Sequence, residues 1–268
     1  MRTAVILTTY NRPDALAAVL EGYLAQDNFE FELVVADDGS TDETRLLIEG
    51  YARRAPFAVR HAWQEDRGFR AAAARNRALA ATGSDYVIFS DGDCVPPAQF
   101  VSRHRALAEP GHFVAGNRIL LSERFTGEVL RGRVPIQSWN HGQWFQAWLK
   151  GDVNRLLPLL TLPDGAFRKR SPRKWEGVKT CNVAVWRADL ERVNGFDESY
   201  SGWGLEDSDL VIRLLHAGVR HKSARFAAPV FHLWHKEWDR NRLAENQRRL
   251  DDILATQRVE ALAGLRQH

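Results

Sequence analysis

The chain has 268 residues, 44% hydrophobic and 26% charged, enough to bury a sizeable core as one elaborated domain or two small ones. Lys and Arg total 37 against 34 acids, a formal charge of +3 that is too slight for a polyanion-coating protein, so nucleic acid is not expected as a partner. Two cysteines make no disulfide framework, the apolar run Ala4 to Leu7 is too short for a signal-peptide core, and no stretch is long enough to cross a bilayer. The expectation is a soluble cytoplasmic protein, with any contact at the inner face of the cell membrane peripheral.

The first half alternates short apolar runs with helical patterns, the mark of βαβ units around a mostly parallel sheet. Thr3 to Thr9 reads as a buried strand, and Pro13 opens a helix with Leu16, Val19, Leu20, Tyr23 and Leu24 on one face. Phe31 to Ala36 is a second strand ending in Asp37-Asp38-Gly39-Ser40, where Ser40 and Glu43 have capping-box spacing for the next helix. Ala58 to Trp63 reads as a third strand, Arg70 to Thr82 as an Ala-rich helix stopped by Gly83, and Asp85 to Ser90 as a fourth strand running into Asp91-Gly92-Asp93. Residues 122–177 carry no sustained period apart from a short helix near Gln143 to Lys150, and read as a long, partly mobile excursion. Cys181 to Trp186 then reads as a strand, Leu205 to His216 as a helix closed by Gly218, Val230 to Trp234 as a short strand or loop, and Asp239 to Leu265 as a terminal helix striped with Leu243, Leu250, Ile253 and Leu254.

Asp91 and Asp93 are two apart on extended backbone and project to one side, so they can converge on a divalent cation, with Gly92 allowing close approach. A solvated turn would also use Asp-Gly, but ligands of α/β sheets bind where strands end. Asp37 and Asp38 suit a ribose hydroxyl or base N–H, or a helix cap, and Tyr10 suits a base face. Thr8 to Pro13 lacks the glycines of a dinucleotide turn, which disfavours a nicotinamide or flavin. Glu206, Asp207 and Asp209 open a helix whose dipole favours acids, yet that does not account for Trp203 between two glycines. A Trp face binds sugar C–H surfaces, and an adjacent carboxylate can deprotonate a hydroxyl. His232 and His235 follow, either of which can complete a metal site, and imidazole with carboxylates suits Mn²⁺ better than Ca²⁺.

With Thr-Thr-Tyr-Asn-Arg-Pro at the start, Asp-Asp-Gly-Ser, Ala74-Arg75-Asn76 before the Asp-Gly-Asp "DxD", Asn194-Gly195-Phe196-Asp197 and Gly-Trp-Gly-Leu-Glu-Asp in this order, the chain resembles family 2 glycosyltransferases of the GT-A fold. The later motifs are similar to the C-terminal galactosyltransferase segment of β-1,4-galactosyltransferases and bacterial chondroitin-type polymerases. The resemblance covers roughly 1–120 and 178–235, with no counterpart matched for 122–177 or the terminal helix. It implies a Rossmann-like mostly parallel sheet flanked by helices, as one domain: a nucleotide-sugar half at 1–120, an acceptor and catalytic half at 121–238, and a helix at 239–268. It also implies that Thr9, Tyr10, Arg12, Asp37 and Asp38 lie around the nucleoside and that Arg70 and Arg75 face the diphosphate. Asp91 would lie near ribose and metal, with Asp93 and His232 as metal ligands, Glu206 and Trp203 on the acceptor, and Asp207 as catalytic base. The implied reaction is inverting transfer of a hexose or N-acetylhexosamine from a nucleotide-sugar, UDP-linked by resemblance, to a saccharide or lipid-linked saccharide in bacterial surface polysaccharide synthesis. A divalent cation would assist, Mn²⁺ favoured over Mg²⁺. The alternatives are a sugar-phosphate nucleotidyltransferase, whose first loop would be Gly-rich, and a non-catalytic carbohydrate-binding module.

Two features stay outside that scheme. Arg168-Lys169-Arg170 and Arg173-Lys174 read by default as a solvated loop, and otherwise as a contact for an anionic acceptor at a membrane surface. Trp139, Trp144 and Trp148 are partly spaced for one helical face: a docking face, an acceptor lid or local core.

Overall fold

A computed structural model describes residues 1–132, 134–236 and 241–268. The chain runs β1 (Thr3–Thr9), α1 (Pro13–Leu24), β2 (Glu32–Asp37), α2 (Asp42–Arg54), β3 (Val59–Trp63), α3 (Ala71–Ala80), β4 (Tyr86–Asp91), β5 (Cys94–Val95) and α4 (Phe100–Leu107). It continues through β6 (His112–Ala115), β7 (Arg118–Leu120), α5 (Glu123–Leu130), α6 (His141–Leu149), β8 (Asn182–Trp186), α7 (Arg187–Arg192), α8 (Glu206–His216), β9 (Arg220–Ser223), β10 (Val230–His232) and α9 (Leu243–Ala255). The main sheet has the order β3-β2-β1-β4-β8-β6-β9, and β5-β10-β7 form a small second sheet. β1 to β4 are mutually parallel, whereas β8 is antiparallel to both β4 and β6. No helix among the described residues is long and apolar enough to cross a membrane.

The period-2 alternation of the parallel strands sorts the core into two layers. Val5, Leu7, Leu33, Val35 and Ile88 face α1, α2 and α4, while Ile6, Val34, Val87 and Phe89 face α3 and α8. Alanine at 72, 74 and 78 lets α3 lie close against that second face.

Several local expectations change in the fold. The Ser40–Glu43 capping box does not form: the N-cap of α2 is Thr41, and Ser40 Oγ instead accepts from the Asn11 amide at 2.9 Å, tying the β1 and β2 loops together. α3 ends before Gly83, and its last carbonyls are met by Arg187, whose Nη2 donates to Leu79 O at 2.7 Å. The 122–177 excursion is folded onto the core. Ser122 caps α5, a full Asn140–Gln143 capping box starts α6, and Trp144 is buried and stacked on Phe231 at 4.1 Å. Trp139 packs on Trp144, so these two are core, and Trp148 alone of the three is exposed. The expected basic loop is divided. Arg168 is buried and donates to the carbonyls of Ser223 and Arg225 at 2.9 and 2.7 Å, and Lys169 pairs with Glu109.

The terminal helix is shorter than its apolar stripe suggested; its expected start at Asp239 lies outside the described residues. α9 stops at Ala255 because the chain then turns back onto the core, where the Ala261 amide donates to Val193 O and the Leu262 amide to the Asp197 carboxylate, both at 3.0 Å.

The junction of β4, β8 and β6 is held by a buried amide. Asn182 donates to the carbonyls of Asn117 and Ala228 at 3.1 and 2.7 Å, and its Oδ1 lies 2.9 Å from Nε2 of the fully buried His104. A side chain on Gly116 would strike this amide at 2.3 Å. Burial pushes the His104 imidazole down to about 4, with the Asn182 contact opposing it. The unfolded chain therefore binds a proton that the folded chain refuses between about pH 6.5 and 4, and stability falls as pH drops through that window by up to about 1.4 kcal/mol per unit. Urea unfolding across pH 4–7 should show this slope in the wild type and a shallower one in His104→Gln; equal slopes would refute the assignment.

Candidate active site

Parallel pairing brings the ends of β1, β2 and β4 to one edge: Thr9 sits opposite Asp37, and Thr8 opposite Asp91. The chain leaves β4 through Gly92, whose amide donates to Thr8 O at 2.7 Å. A Cβ there would lie 3.0 Å from both Thr8 O and Thr9 Oγ1, so the absence of a side chain lets the Asp-Gly-Asp turn press against the end of β1.

β5 then runs antiparallel to β10, pairing Cys94 with His232, and the Leu233 amide donates to Asp93 O at 2.8 Å. This ladder is what brings His232 to Asp93 from far along the chain. Nε2 of His232 lies 3.9 Å from Asp93 Oδ1, and Nε2 of His235 lies 3.5 Å from Oδ2. At those separations the imidazoles point at the carboxylate without closing hydrogen bonds, and a carboxylate with imidazole is a donor set that fits a divalent cation of the Mn²⁺ class. Asp93, Cys94 and His232 each offer an atom within 4.8 Å of the others. Burial, opposed by Asp93, lowers the His232 pKa and favours the neutral imidazole that binds metal.

Beneath Asp91 lies Arg75, from the middle of α3 and itself buried. Its Nη2 reaches Asp91 at 3.2 Å, its Nη1 reaches Glu206 at 3.0 Å, its Nε donates to Thr8 Oγ1 at 3.0 Å, and its plane lies 5.3 Å from the Phe196 ring centre. Burial raises the Asp91 carboxyl while Arg75 opposes it; burial and then Asp207 raise Glu206, again against Arg75.

Glu206 and Asp207 open α8. The preceding loop turns through Gly202 and Gly204 at φ +73° and +99°, and Leu205 sits at +78°, a conformation rare outside glycine. Asp207 Oδ1 accepts from the Ser208 amide at 2.8 Å, and its Oδ2 lies 3.5 Å from Lys179 Nζ. Asp209 is a different case: it is fully buried and paired with Arg213 at 2.6 Å, as a helix-stabilising acid.

A single cleft is lined by Thr9, Tyr10, Arg12, Asp38, Arg75, Asp91, Asp93, Trp203, Glu206, Asp207 and His232 together, with His235 beside them. Two sequence-selected residues do not line it. Asp37 is fully buried, accepting from the Ser40 amide at 2.8 Å and lying 2.8 Å from His61 Nε2. It therefore holds the loop while its neighbour Asp38 faces the cleft, because adjacent residues at a strand end point to opposite sides. The Arg70 guanidinium donates to Glu65 O at 2.6 Å, and only its backbone amide serves the site, donating to Asp38 at 2.6 Å. Gln64 donates to the other Asp38 oxygen at 2.6 Å. Arg75 reaches the cleft with its donors committed to Thr8, Asp91 and Glu206.

Lys179, Thr180 and Arg118 also line the cleft and were not singled out from the sequence. Lys179 precedes β8 and Arg118 opens β7, and nothing local distinguishes either from a solvated cation. Only the pairing of Arg118 with Val230 and the antiparallel return of β8 bring them in.

The pattern of Glycosyl transferase family 2 matches residues 4–157, and that of the N-terminal domain of galactosyltransferase matches residues 166–236. The two matches therefore also cover most of the 122–177 excursion, for which the sequence motifs alone give no counterpart. The chain is 33% identical over 230 residues to validoxylamine A glucosyltransferase of Streptomyces hygroscopicus subsp. limoneus, an alignment covering 81% of this chain and 48% of that protein. It is 27% identical to the hyaluronan synthase of Pasteurella multocida, covering 82% of this chain and 23% of the synthase. The chain thus spans about half the length of the glucosyltransferases it matches. Among solved structures, the mannosyltransferase PcManGT from Pyrobaculum calidifontis, in complex with GDP-Man and Mn²⁺, shares the fold at a TM-score of 0.61 and 23% identity, over 88% of this chain and 58% of that one. S. aureus TarS 1-349 in complex with UDP-GlcNAc does so at 0.63 and 16%, over 100% and 69%.

The Arg75 contacts yield a direct expectation. Arg75→Met strands the buried Glu206 carboxylate and removes the partner of the cleft-facing Asp91, and should lower the unfolding free energy by about 3 kcal/mol. Adding Glu206→Gln removes one of those charges and should recover at least about 1 kcal/mol, as read by denaturant midpoints of the single and double variants. A single variant as stable as wild type would contradict the role given to this guanidinium.

Proposed function

The chain belongs to glycosyl transferase family 2, and from that premise we propose that it is an inverting, metal-dependent transferase of the GT-A fold. It would move a hexose or N-acetylhexosamine from a UDP-sugar to a hydroxyl of a saccharide or lipid-linked saccharide, in bacterial surface polysaccharide synthesis. The observation that carries this reading is the meeting of Asp91 and Asp93 with Trp203, Glu206 and Asp207, more than a hundred residues further on, and with His232 on one cleft. We assign residues 1–120 to the donor half and 121–238 to the acceptor half. The relatives with GDP-Man and UDP-GlcNAc in their complexes support a nucleotide-sugar donor, and the one with Mn²⁺ supports a divalent cation.

In this scheme Tyr10 and Asp38 receive the nucleoside, with Asp38 fixed by Gln64 and the Arg70 amide. Asp93 and His232 would hold the cation, with His235 within reach of the same carboxylate, and Asp91 would lie near both ribose and cation. The cation, when bound, neutralises charge developing on the departing diphosphate. Trp203 offers a flat face to sugar C–H groups, and Glu206 is fixed by Arg75 against the acceptor. Asp207 takes the proton of the attacking hydroxyl as it bonds to the anomeric carbon, and one displacement of this kind inverts the centre. Its Oδ2, 3.5 Å from Lys179 Nζ, is the oxygen assigned to that proton, since Oδ1 already accepts from the Ser208 amide.

Asp207→Asn should reduce transfer by about 10²–10⁴-fold while thermal shifts with UDP-sugars and Mn²⁺ persist. A variant that transfers at near wild-type rate would remove Asp207 as base. Chelation with EDTA should abolish UDP-sugar turnover, including slow hydrolysis without acceptor, and Mn²⁺ should restore it better than Mg²⁺. Turnover undiminished by chelation would remove the cation from the scheme.

A further inference from the structure

Cys94 and Cys181 are the only cysteines in the sequence, and the fold brings them together. β4 and β8 pair antiparallel as far as Ser90 opposite Asn182, so Cys181, one residue before β8, arrives beside Asp91 at the end of β4. The Asp-Gly-Asp turn then folds β5 back and carries Cys94 beneath that junction. One Asp91 oxygen and the two Sγ atoms all lie within 4.8 Å of one another. Both cysteines are buried, Cys94 fully, but Cys181 and the partly exposed Asp91 line the cleft, so the group is reached from that side. Cys94 Sγ also lies 3.4 Å from Asp93 Oδ1.

Two thiols and a carboxylate differ in kind from the carboxylate–imidazole pair at Asp93 and His232. Thiolates select d¹⁰ cations such as Zn²⁺ and Cd²⁺, whereas oxygen and imidazole suit Mn²⁺. Metal–ligand bonds of about 2.0–2.3 Å put neighbouring ligands in a tetrahedral zinc site about 3.5–4 Å apart, so a contraction of about 1 Å brings these three atoms to binding distance. The fourth position would open to the cleft.

We propose that Asp91, Cys94 and Cys181 form a binding site for a thiophilic d¹⁰ cation, and that its occupancy inhibits transfer. On binding, the two thiols give up their protons to solvent and bond the cation through sulfur, with no change of oxidation state. Inhibition follows because the Asp91 carboxylate is drawn from its 3.2 Å contact with Arg75 and from the donor. This second half rests on the catalytic reading above, and the first half does not.

The binding test uses Cd²⁺ as probe, with metal-free wild-type protein and no nucleotide. A thiolate-to-cadmium charge-transfer absorption should rise and saturate at about one cation per chain, and Zn²⁺ should displace it. Cys94→Ala and Cys181→Ala should each lose the band, while His232→Ala keeps it. No band in the wild type, or a full band in either cysteine variant, overturns the site. Should a cysteine variant fail to fold by circular dichroism, the wild-type band and its displacement by Zn²⁺ decide alone. For the consequence, Zn²⁺ is titrated into Mn²⁺-supported hydrolysis of a UDP-sugar. Its half-inhibitory concentration should rise at least about tenfold in Cys94→Ala, and equal values would remove the inhibitory role. Failure of all turnover would fault the catalytic reading and leave the absorption band standing.

Discussion

The buried guanidinium of Arg75 is the constraint on which the site depends. A cation with so little solvent must be surrounded by acceptors, and three come from separate parts of the chain: the Thr8 hydroxyl, Asp91 and Glu206. The same contacts let two carboxylates stand close together in a poorly hydrated place, where burial alone would drive them toward the neutral form. The Asp-Gly-Asp turn and the Glu206-Asp207 pair are thereby fixed relative to one another by a buried residue whose charged partners are all distant in sequence. Phe196 closes another side, its ring centre 5.3 Å from the guanidinium carbon, which gives the Asn194-Gly195-Phe196-Asp197 segment a contact with this cluster.

Much of this was legible in the residues. β1 is read to the residue, and β2 and β4 to within one, because fully buried parallel strands are uniform apolar runs with abrupt polar ends. Those ends are where ligands of α/β sheets bind, so Thr9, Asp38, Asp91 and Asp93 could be chosen from sequence, and all four line the cleft. The Trp203 loop was legible for a related reason: paired glycines in the left-handed region leave a chemical mark in the sequence, though Leu205 in the same region does not.

What failed shares a different cause. Asp37 and Asp38 are identical in type and adjacent, and only the strand's two-residue alternation and the presence of His61 decide that one is sealed inside. Ser40 has the spacing of a cap, yet an amide from the β1 loop claims its hydroxyl. Arg168 reads as one cation in a charged run, but five chain carbonyls converge on it and turn it inward. In each case the deciding partner is distant in sequence, and local propensity carries no record of it.

The terminal helix shows how such distant partners reach the site. Its stripe could have served a second copy of the chain, but Leu250 and Ile253 are buried against Ile212 of α8, while Leu254 is exposed. With α9 seated there, the buried Asn246 donates to the carbonyls of Ser201 and Gly204 at 3.2 and 3.0 Å, and Arg242 reaches Ser201 Oγ at 2.9 Å. These bonds hold both shoulders of the Gly-Trp-Gly loop. A loop with two glycines and a left-handed leucine has many conformations open to it when unsupported, and few of them would keep the Trp203 ring on the cleft with Glu206 and Asp207. α9 supplies the fixed backing that confines it, so a segment that contributes no residue to the cleft sets the position of its aromatic wall.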